Sequence, residues 1–395
     1  MGKITYIDEA DIKNNKILLR VDFNISLTDQ NAIADDTRIR QALPTIKYLL
    51  ERKNRLVIVS HFGRPKTRDS QFSMKIIADY LKNFLSGYRI GLIDDFLTDD
   101  GKNQIKNQQE NEVLMLENIR FYPQEKKNDP DFAKTLASLA DVYVNDAFGV
   151  CHRNDASVVG PPQFIPSFGG LLLKKEITTI GNALKNPGKP FAVVIGGAKI
   201  STKISLINKF IEIADYILIG GGLANTFIYS QGHDIGGSFC ECQEADKAKQ
   251  MLLSASQKNT TIILPEDVVV LASGDGKKTK KIKKVDEIAK DESILDIGPE
   301  TRTRFGSVIA RAKTIVWNGP VGYFENPEFR EGTDFVYEAI VKNEGAVSIV
   351  GGGDTLAAIS KKEHLDKITH ISTGGGAMLE LIEKGTLPGI EALKK

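Results

Sequence analysis

Short runs of aliphatic and β-branched residues alternate with helical stretches along the whole chain, and this alternation constrains the fold more than any other feature. Strands that alternate with helices are typical of a parallel sheet with crossover helices. The predicted strands are 16–21, 56–60, 89–93, 113–116 and 142–144 in the first half, and 191–195, 216–219, 262–264, 294–297, 315–317 and 347–350 in the second. We therefore expect an α/β protein with a doubly wound sheet in each half.

The middle of the chain contains the predicted domain boundary. A length of 395 residues exceeds an ordinary single core and suits about two to three domains. Prolines interrupt residues 161–166, a helix is predicted over 171–184, and a Pro-Gly turn follows at 187–188. We place the boundary between Gly160 and Pro190. We interpret this helix as an interdomain linker that acts as a lever in hinge closure, in preference to an ordinary crossover helix.

The overall composition is that of a globular protein without a strong charge bias. Hydrophobic residues make up 41% and charged residues 26%, and the formal net charge is +1. This balance argues against wholesale binding to nucleic acid or membranes. No apolar run approaches the roughly 20 residues of a membrane helix, and the first residues lack the apolar core of a signal peptide. We expect a cytoplasmic protein.

The chain has three cysteines, Cys151, Cys240 and Cys242. This small and odd number does not suggest a disulfide scaffold. Cys240 and Cys242 could instead form a metal or redox pair, but no histidine or further cysteine lies near them in sequence to complete a tetrahedral site. We therefore expect free thiols.

Basic side chains cluster near the predicted strand ends of the first half. They are Arg20, Arg38, His61, Arg64, Arg120 and Arg153. Guanidinium groups bind anionic oxygens in a fixed fork, and ligands of such folds bind beyond the carboxyl ends of the strands. We favour a shared anion pocket over separate surface ion pairs, although Arg20 and Asp22 could simply pair on one face of their strand. His61 fits an anion-binding role better than that of a general base.

The second half has glycine turns at its predicted strand ends. They are Gly196-Gly197-Ala198-Lys199, Gly220-Gly221-Gly222, Gly351–Thr355 and Gly374-Gly375-Gly376. Glycine turns that open helices can cradle phosphates with backbone N–H groups. Neither a P-loop nor a Gly-x-Gly-x-x-Gly fingerprint is present. One such turn would be weak, but four together predict a nucleotide site.

Two lysines and one aspartate beside these turns carry specific predictions. Lys199 and Lys203 lie four residues apart at a helix start, where they could converge on a phosphate chain or remain surface lysines. Asp354 either caps its helix or binds Mg²⁺ beside the phosphates. An anion-binding half and a nucleotide-binding half together indicate a two-domain phosphoryl-transfer enzyme.

Eight ordered segments carry a family resemblance. They are RVDFNISL at 20–27, HFGRP at 61–65, LENIRF at 116–121, NDAFGVCHR at 145–153, GGAKISTK at 196–203, WNGPVGYFE at 317–325, GGGDT at 351–355 and STGGGA at 372–377. Together they resemble the phosphoglycerate kinase family, and the match runs essentially from end to end.

The resemblance implies two Rossmann-like domains with parallel sheets around a central cleft, joined by an interdomain helix and a hinge. It implies reversible, Mg²⁺-dependent transfer of a phosphoryl group from 1,3-bisphosphoglycerate to ADP, giving 3-phosphoglycerate and ATP, directly and in line when the hinge closes. The implied domains are 1–170 for phosphoglycerate and 189–376 for the nucleotide. Residues 171–188 would form the interdomain helix and linker, and about 377–395 would return to the first domain. The family expectation is a monomer without nucleic-acid or membrane partners.

The resemblance also implies site residues. 3-Phosphoglycerate would bind Asp22, Phe23, Asn24, Arg38, His61, Phe62, Gly63, Arg64, Arg120 and Arg153. The nucleotide would bind Gly197, Ala198, Lys199, Lys203, Gly221, Asn318, Pro320, Glu325, Gly352, Gly353, Asp354 and Thr355. Arg38, Lys199, Lys203, Gly374 and Gly375 would act on the transferred phosphoryl group. Asp354 would meet the metal, and Glu325 the ribose.

Several positions depart from the family pattern. Ser26 stands where proline is usual, Phe62 where leucine is usual, and Thr202 where aspartate is frequent. Asn154 and Asp155 follow Arg153, where a second histidine is common. Asp155 would weaken the basic pocket locally, so we expect an effect on substrate affinity more than on activity.

Three alternatives remain open. Two Rossmann-like halves would also suit a nicotinamide dehydrogenase, against which the missing dinucleotide fingerprint counts. A non-catalytic protein could keep the fold, although Arg38, Lys199, Lys203 and Asp354 are all present. A basic run at 277–284 follows a turn signal at 273–276 and could bind a polyanion, but a solvated surface hairpin is the simpler interpretation.

Overall fold

The chain divides into two compact units in the computed structural model, which describes residues 2–274, 277–359 and 362–394. Unit 1 comprises the residues up to Thr178 together with those from Lys384 onward, and unit 2 comprises Thr179–Glu383. Two residues of the turn predicted at 273–276, Asp275 and Gly276, lie outside the described residues. Within the described part of the chain, every helix is too short or too polar to cross a membrane.

Unit 1 contains, among its described residues, a six-stranded sheet whose neighbouring strands all pair in parallel. The strands are β1 (Lys16–Arg20), β2 (Arg55–Val59), β3 (Arg89–Ile93), β4 (Glu112–Leu116), β5 (Val142–Asn145) and β6 (Ser167–Gly169). Their order across the sheet is β3-β4-β2-β1-β5-β6. The chain begins at β1, runs to β2 on one side and later returns to β5 on the other. The carboxyl end of β1 is therefore a switch point, where α/β sheets bind ligands.

Helices cover this sheet. They are α1 (Thr37–Glu51), α2 (Lys75–Leu81), α3 (Asp99–Lys106), α4 (Pro123–Lys127), α5 (Pro130–Ala137) and α6 (Ala156–Val159), followed by α7 (Leu171–Lys185), which contains the boundary at Thr178. All five residues of β1 are buried, as expected for a parallel strand with helices on both faces. Ile17 and Leu19 of β1 share one hydrophobic core with Ile39 and Ile46 of α1. This packing fixes the start of α1, and with it Arg38, near the end of β1.

Unit 2 has the same kind of parallel sheet as unit 1 and contains an antiparallel sheet in addition. Its strands are β7 (Phe191–Ile195), β8 (Tyr216–Ile219), β9 (Thr261–Ile263), β10 (Asp267–Gly274), β11 (Lys277–Lys284), β12 (Glu292–Ile297), β13 (Thr314–Asn318), β14 (Val347–Gly351) and β15 (His370–Ser372). The parallel sheet has the order β15-β14-β13-β7-β8-β9, and a separate antiparallel sheet has the order β11-β10-β12. The switch point of the parallel sheet lies between β7 and β13.

Helices connect the strands of unit 2. They are α8 (Ile204–Ile211), α9 (Gly222–Ser230), α10 (Ala245–Gln257), α11 (Pro299–Arg311), α12 (Glu331–Lys342), α13 (Gly353–Ala358) and α14 (Gly376–Lys384). Among the described residues of both units, 3₁₀ turns lie at Ile7–Glu9, Ser70–Phe72, Ile119–Phe121, Phe148–Val150, Pro161–Gln163, Cys242–Glu244, Pro327–Phe329 and Lys362–Lys367. The core of unit 2 contains the buried Trp317, whose indole N–H donates to the Gly319 carbonyl at 2.9 Å.

The last residues of the chain pack on unit 1. In α15 (Pro388–Glu391), the Gly389 N–H donates to the Cys151 carbonyl at 2.8 Å. The approach is close, because a Cβ added to Gly389 would lie 2.8 Å from Val158 and 3.1 Å from Cys151. Unit 1 is therefore built from two separate stretches of sequence.

The two parallel sheets confirm the predicted α/β fold class. One strand assignment was wrong: residues 294–297 belong to β12, which pairs antiparallel with β10 instead of joining the parallel sheet. A short apolar run indicates a buried strand, but it does not indicate whether the partner strand runs parallel or antiparallel to it. The basic run at 277–284 forms β11 of the hairpin, as the simpler interpretation of that run predicted.

The cysteine prediction was also wrong for two of the three residues. Cys240 and Cys242 form a disulfide in the structure, whereas Cys151 is a buried free thiol. The Cα atoms of Cys240 and Cys242 lie 5.3 Å apart, within the range that a disulfide bridges. Their spacing in sequence does not reveal this backbone geometry.

Two helical glycines give a matched test of packing. A Cβ on Gly101 in α3 would lie 2.1 Å from the Asp95 carbonyl oxygen, whereas a Cβ on Gly181 in α7 would meet nothing within 4 Å. We expect Gly101→Ala to lower the free energy of unfolding by about 1–3 kcal/mol through overpacking. Gly181→Ala should raise it by about 0.4–1 kcal/mol through reduced chain entropy. Denaturant unfolding of both variants measures the difference, and a stabilised Gly101→Ala would contradict the packing described for α3.

Candidate active site

The loop after β1 is connected to α1 and to the loop after β2. An Arg38 Nη1–H donates to Asp22 Oδ2 at 3.1 Å and to the Asn24 carbonyl at 2.9 Å. The Gly63 N–H donates to Asn24 Oδ1 at 2.8 Å. Asp22 and Asn24 therefore hold Arg38, and the loop that carries Gly63, at the carboxyl edge of the sheet.

His61 lies buried among positive charges at this edge. Its Nδ1 is 3.8 Å from Asp22 Oδ1. Burial lowers the pKa of His61 well below its usual value, and the charges of Arg20, Arg120, Arg153 and Arg38 lower it further. His61 is therefore neutral at pH 7, so it can serve a ligand as a hydrogen-bonding imidazole but not as a cation.

Arg120 and Arg153 form, with Arg38, what we call the arginine cluster. An Arg120 Nη1–H donates to the Gly63 carbonyl at 2.6 Å, while its buried Nη2 has no hydrogen-bond partner among the described residues. Burial lowers the pKa of Arg120 to about 10, and Arg153 lowers it further, whereas Asp155 opposes the shift. Arginines gathered in one place with few carboxylates make a site suited to an anion.

The remaining predicted residues of unit 1 have different surroundings. Phe23 and Phe62 are buried, and their N–H groups donate to Ser60 Oγ at 2.9 Å and to Asn118 Oδ1 at 3.2 Å. The structure therefore uses them to hold the two loops in place. Arg64 is exposed to solvent.

Arg20, which the sequence analysis placed with the basic residues of the anion pocket, is directed into the interior of unit 1 instead. It is 1% exposed, and its Nε–H donates to Ser157 Oγ at 2.9 Å. The Ser157 N–H and Oγ–H in turn donate to the Glu125 carboxylate at 2.8 and 2.6 Å. Burial raises the pKa of Glu125 to about 7, although Arg20 opposes the shift. Arg20 thus belongs to a buried network beneath the site, where its charge still acts on His61.

In unit 2, the glycine turn after β7 lies against the turn after β13. The Gly196 N–H donates to the Asn318 carbonyl at 3.0 Å, and the Gly197 N–H donates to the Pro320 carbonyl at 2.8 Å. A Cβ on Gly196 would lie 2.0 Å from the Pro320 carbonyl oxygen. Only glycine permits this approach, which brings the two strand ends together at the switch point.

Lys203 extends into the space beside these turns. Its half-buried ammonium group donates to the Asn318 carbonyl at 3.1 Å and to Asn318 Oδ1. Burial lowers the pKa of Lys203 to about 8, and Asp354 opposes the shift. Lys199, four residues earlier, is exposed. An anion beside Lys203 would therefore stabilise its charged form.

The third glycine turn is held by buried polar side chains. The Asn318 Nδ2–H donates to the Gly351 carbonyl at 2.7 Å. Thr355 Oγ1 accepts from the Gly319 N–H at 2.7 Å and donates to the Gly351 carbonyl at 2.9 Å. Gly352 has a positive φ of 109°, which turns the chain into α13. Asn318 and Thr355 thus shape the turn, while Gly353 and Asp354 remain exposed at its surface.

The fourth glycine turn approaches the third. A Cβ on Gly375 would lie 4.0 Å from the Gly353 backbone nitrogen. The neighbouring Gly374 N–H donates to Ser372 Oγ at 3.2 Å. Two of the predicted turns are therefore adjacent in unit 2, and the Gly374 N–H has a protein partner in this structure.

A cavity of 360 Å³ is lined by residues of the first three glycine turns. Its lining includes six of the predicted nucleotide residues: Gly197, Ala198, Gly221, Pro320, Glu325 and Asp354. It also includes residues that the sequence analysis missed, among them Asn225, Phe239, Leu295, Tyr323 and Phe324. Tyr323 and Phe324 lie inside the motif at 317–325 and Leu295 inside the strand predicted at 294–297, but these signals gave them no role, and Asn225 and Phe239 lie outside every motif.

Asp354 is the predicted metal ligand. Among the described residues, no group of three or more histidine, cysteine, aspartate or glutamate side chains could hold a metal ion. This does not conflict with Mg²⁺, which proteins usually bind through one or two carboxylates together with substrate phosphates. The exposed Asp354 at a glycine turn fits that arrangement.

Comparisons with known proteins agree along the whole chain. The family model of phosphoglycerate kinase matches residues 7–385. A phosphoglycerate kinase of Dictyoglomus turgidum is 46% identical over 396 residues, covering 100% of both chains. "Phosphoglycerate kinase 3, cytosolic" of Arabidopsis thaliana is 43% identical and covers 98% of this chain and 97% of its own.

A solved structure gives the same result. The phosphoglycerate kinase of Coxiella burnetii superimposes with a TM-score of 0.88 at 37% sequence identity, covering 99% of each chain. A match of this extent in sequence and in structure goes beyond a shared fold. The chain therefore belongs to the phosphoglycerate kinase family.

Proposed function

We propose that unit 1 binds 3-phosphoglycerate or 1,3-bisphosphoglycerate and that unit 2 binds ADP or ATP with Mg²⁺. The reaction is that of the family, the reversible transfer of a phosphoryl group between an acyl phosphate and ADP, so the chain is a phosphotransferase with a carboxyl acceptor. The observation that carries this division is the contrast in the two sites: a cluster of arginines around the buried His61 in unit 1, and adjoining glycine turns beside Lys203 in unit 2.

In unit 1, the arginine cluster would bind the phosphate and carboxylate groups of phosphoglycerate. Arg120 offers a buried N–H that has no partner among the described residues, and an anion there would offset the mutual repulsion of the arginines. The neutral His61 would contribute a hydrogen bond, and the exposed Arg64 a further charge. Asp22 and Asn24 would orient Arg38 toward the substrate.

In unit 2, the cavity would hold the nucleotide, with backbone groups of the glycine turns near its phosphates. Gly197, Ala198, Gly221, Pro320 and Glu325 would contact the base and ribose. Gly352, Gly353, Thr355 and Asn318 would contact or shape the phosphate site. Asp354 would hold Mg²⁺, which in the bound state neutralises negative charge on the phosphate oxygens.

The chemistry needs no strong general base, because the acceptor carboxylate is already ionised at neutral pH. Catalysis then consists of positioning the groups, stabilising the charge on the transferred phosphoryl group and excluding water. Arg38, Lys199 and Lys203 would stabilise that charge, with N–H groups of Gly374 and Gly375. Since Gly374 N–H now donates to Ser372 Oγ, its use would require an exchange of partners.

The proposal includes a monomer in the cytoplasm that acts on small molecules. A cytosolic relative and the absence of a membrane-spanning helix from the described residues support this setting. A nicotinamide dehydrogenase has no support from the sequence motifs or from the comparisons.

Replacement of Arg38 tests the proposed phosphoryl-binding group. We expect Arg38→Ala to lower kcat by roughly a hundredfold or more, because the charge on the transferred group loses a positioned donor. The assay is consumption of MgATP that depends on 3-phosphoglycerate, coupled to removal of the acyl phosphate.

A matched control lies two residues further along α1. Arg40 pairs with Asp36 at 2.7 Å on an exposed part of the helix, so Arg40→Ala should keep near wild-type kcat. Equal losses in the two variants would refute the special role of Arg38.

The lowered pKa of Lys203 predicts a pH dependence. Below its pKa of about 8 the side chain is charged, and as pH rises through 8 the charge is lost. We expect kcat/KM for MgATP to fall about fivefold between pH 8 and pH 9, since this ratio reports on groups of the free enzyme. Lys203→Arg keeps its charge in this range and should flatten that decline, whatever its absolute activity. A wild-type profile flat to pH 9 would contradict the assignment.

Asp155 provides a test of the arginine cluster. Its charge opposes the pKa shift of Arg120, so it offsets part of the positive potential. We expect Asp155→Asn to lower KM for 3-phosphoglycerate about two- to fivefold, with KM for MgATP unchanged. The exposed Asp131→Asn in α5 removes the same charge from the surface and should change neither constant. A raised KM for 3-phosphoglycerate in Asp155→Asn would reverse the electrostatic argument.

A further inference from the structure

Residues Phe239–Cys242 form a segment, here called the strap, that is fastened to α9. The Asn225 Nδ2–H donates to the Phe239 carbonyl at 3.0 Å. The Glu241 N–H donates to Thr226 Oγ1 at 3.2 Å. Asn225 and Thr226 are both about 1% exposed, so the strap is anchored on buried groups of a helix that begins at the Gly220–Gly222 turn. The backbone of the strap is therefore held in a defined position.

The strap contacts the glycine turn after β7 through one carboxylate. Glu241 Oε2 accepts from the Ser201 N–H and Oε1 accepts from the Ser201 Oγ–H, both at 2.8 Å. These bonds lower the pKa of Glu241, and the charge of Lys199 contributes to the shift. Glu241 thus meets the segment between Lys199 and Lys203 with both oxygens, and remains ionised at neutral pH.

The turn itself has few other restraints on this side. Ile200 is fully buried, but Lys199, Ser201 and Thr202 are exposed. Local bonds run from Thr202 Oγ1 to the Lys199 carbonyl at 3.0 Å and from the Lys203 N–H to the Ile200 carbonyl at 2.8 Å. Because Glu241 contacts Ser201 with both carboxylate oxygens, it connects the exposed residues of this turn to the strap, and through the strap to α9.

A carboxylate beside an anion-binding site weakens the binding of the anion, unless another effect of the carboxylate compensates for this repulsion. Glu241 repels phosphate, but it also occupies the Ser201 N–H and attracts Lys199. The contact with Ser201 thereby holds the backbone between the two lysines of the turn. Phe239, two residues earlier in the strap, lines the cavity. One segment therefore touches both the cavity wall and the phosphate turn.

We propose that Glu241 is a positioning residue for nucleotide binding, which sets the Lys199–Lys203 turn through Ser201 and does not itself touch substrate. The inference rests on the proposed nucleotide site in unit 2. It assigns to Glu241 an effect on the affinity for MgATP and MgADP, and none on the affinity for 3-phosphoglycerate.

Kinetics and direct binding of Glu241 variants test this assignment. Glu241→Ala should raise KM for MgATP and, by calorimetry, Kd for MgADP about tenfold, as expected when a hydrogen bond to a charged group is lost. KM for 3-phosphoglycerate should stay unchanged. Glu241→Gln can still accept from the Ser201 N–H and donate to its Oγ, so it should restore most of the affinity.

A double-mutant cycle separates the contact from general damage. Because Ser201→Ala removes only one of the two bonds, its effect should be smaller, and Glu241→Ala with Ser201→Ala should be no weaker than Glu241→Ala alone. Glu212→Ala is the control, since that exposed glutamate of unit 2 pairs only with Lys258 among the described residues. Additive losses in the cycle would overturn the proposed route through Ser201.

Two further outcomes distinguish the inference from the proposed function. If Glu241→Ala has unchanged Kd for MgADP, or loses stability while both KM values stay constant, the positioning role is overturned. If the wild type binds MgADP but has no turnover with 3-phosphoglycerate, the proposed function fails, while the Kd series on the same variants still tests Glu241.

Discussion

Parallel pairing of the strands at two switch points is the constraint on which both sites depend. β1 pairs with β2 and β5, and β7 pairs with β8 and β13, all in the same direction. Loops that leave these strands must therefore emerge at one edge of each sheet, however far apart they are in sequence. In unit 2, the turn after β7 also packs so closely against the turn after β13 that Gly196 has no room for a side chain. In unit 1, hydrogen bonds from Arg38 and Gly63 complete the same convergence.

Electrostatics distinguishes the two edges. Unit 1 gathers arginines around a buried histidine, where burial lowers the pKa of both His61 and Arg120 and neighbouring arginines lower both further. In unit 2, burial lowers the pKa of Lys203, whose ammonium group donates to the carbonyl and side-chain oxygens of Asn318. In both units, the folded protein holds positive charges in surroundings that destabilise them. A bound anion would stabilise these charges. Ligands should accordingly stabilise the native state by mass action.

The sequence predicted the elements of the fold better than their partners. Apolar runs located β1, β7 and β8 because parallel strands are buried on both faces. The same signal misplaced residues 294–297, since an apolar run does not specify which strand it meets. For the site, motifs marked the glycine turns, but they could not show that Arg20 is directed toward Ser157 and Glu125. Phe239 and Glu241 lie in a segment without any periodicity, and only the folded chain brings them to the nucleotide turn.

The split composition of unit 1 has a consequence for how the protein is made. The ribosome synthesises the chain from its first residue, so the six strands of unit 1 are complete long before α15 exists. The contact between Gly389 and Cys151 can form only after all of unit 2 has been translated. During synthesis, the surface of unit 1 around Cys151 and Val158 therefore stays uncovered until α15 has been translated. Its folding is finished by residues that are translated after the whole of unit 2, and not by those that make its sheet.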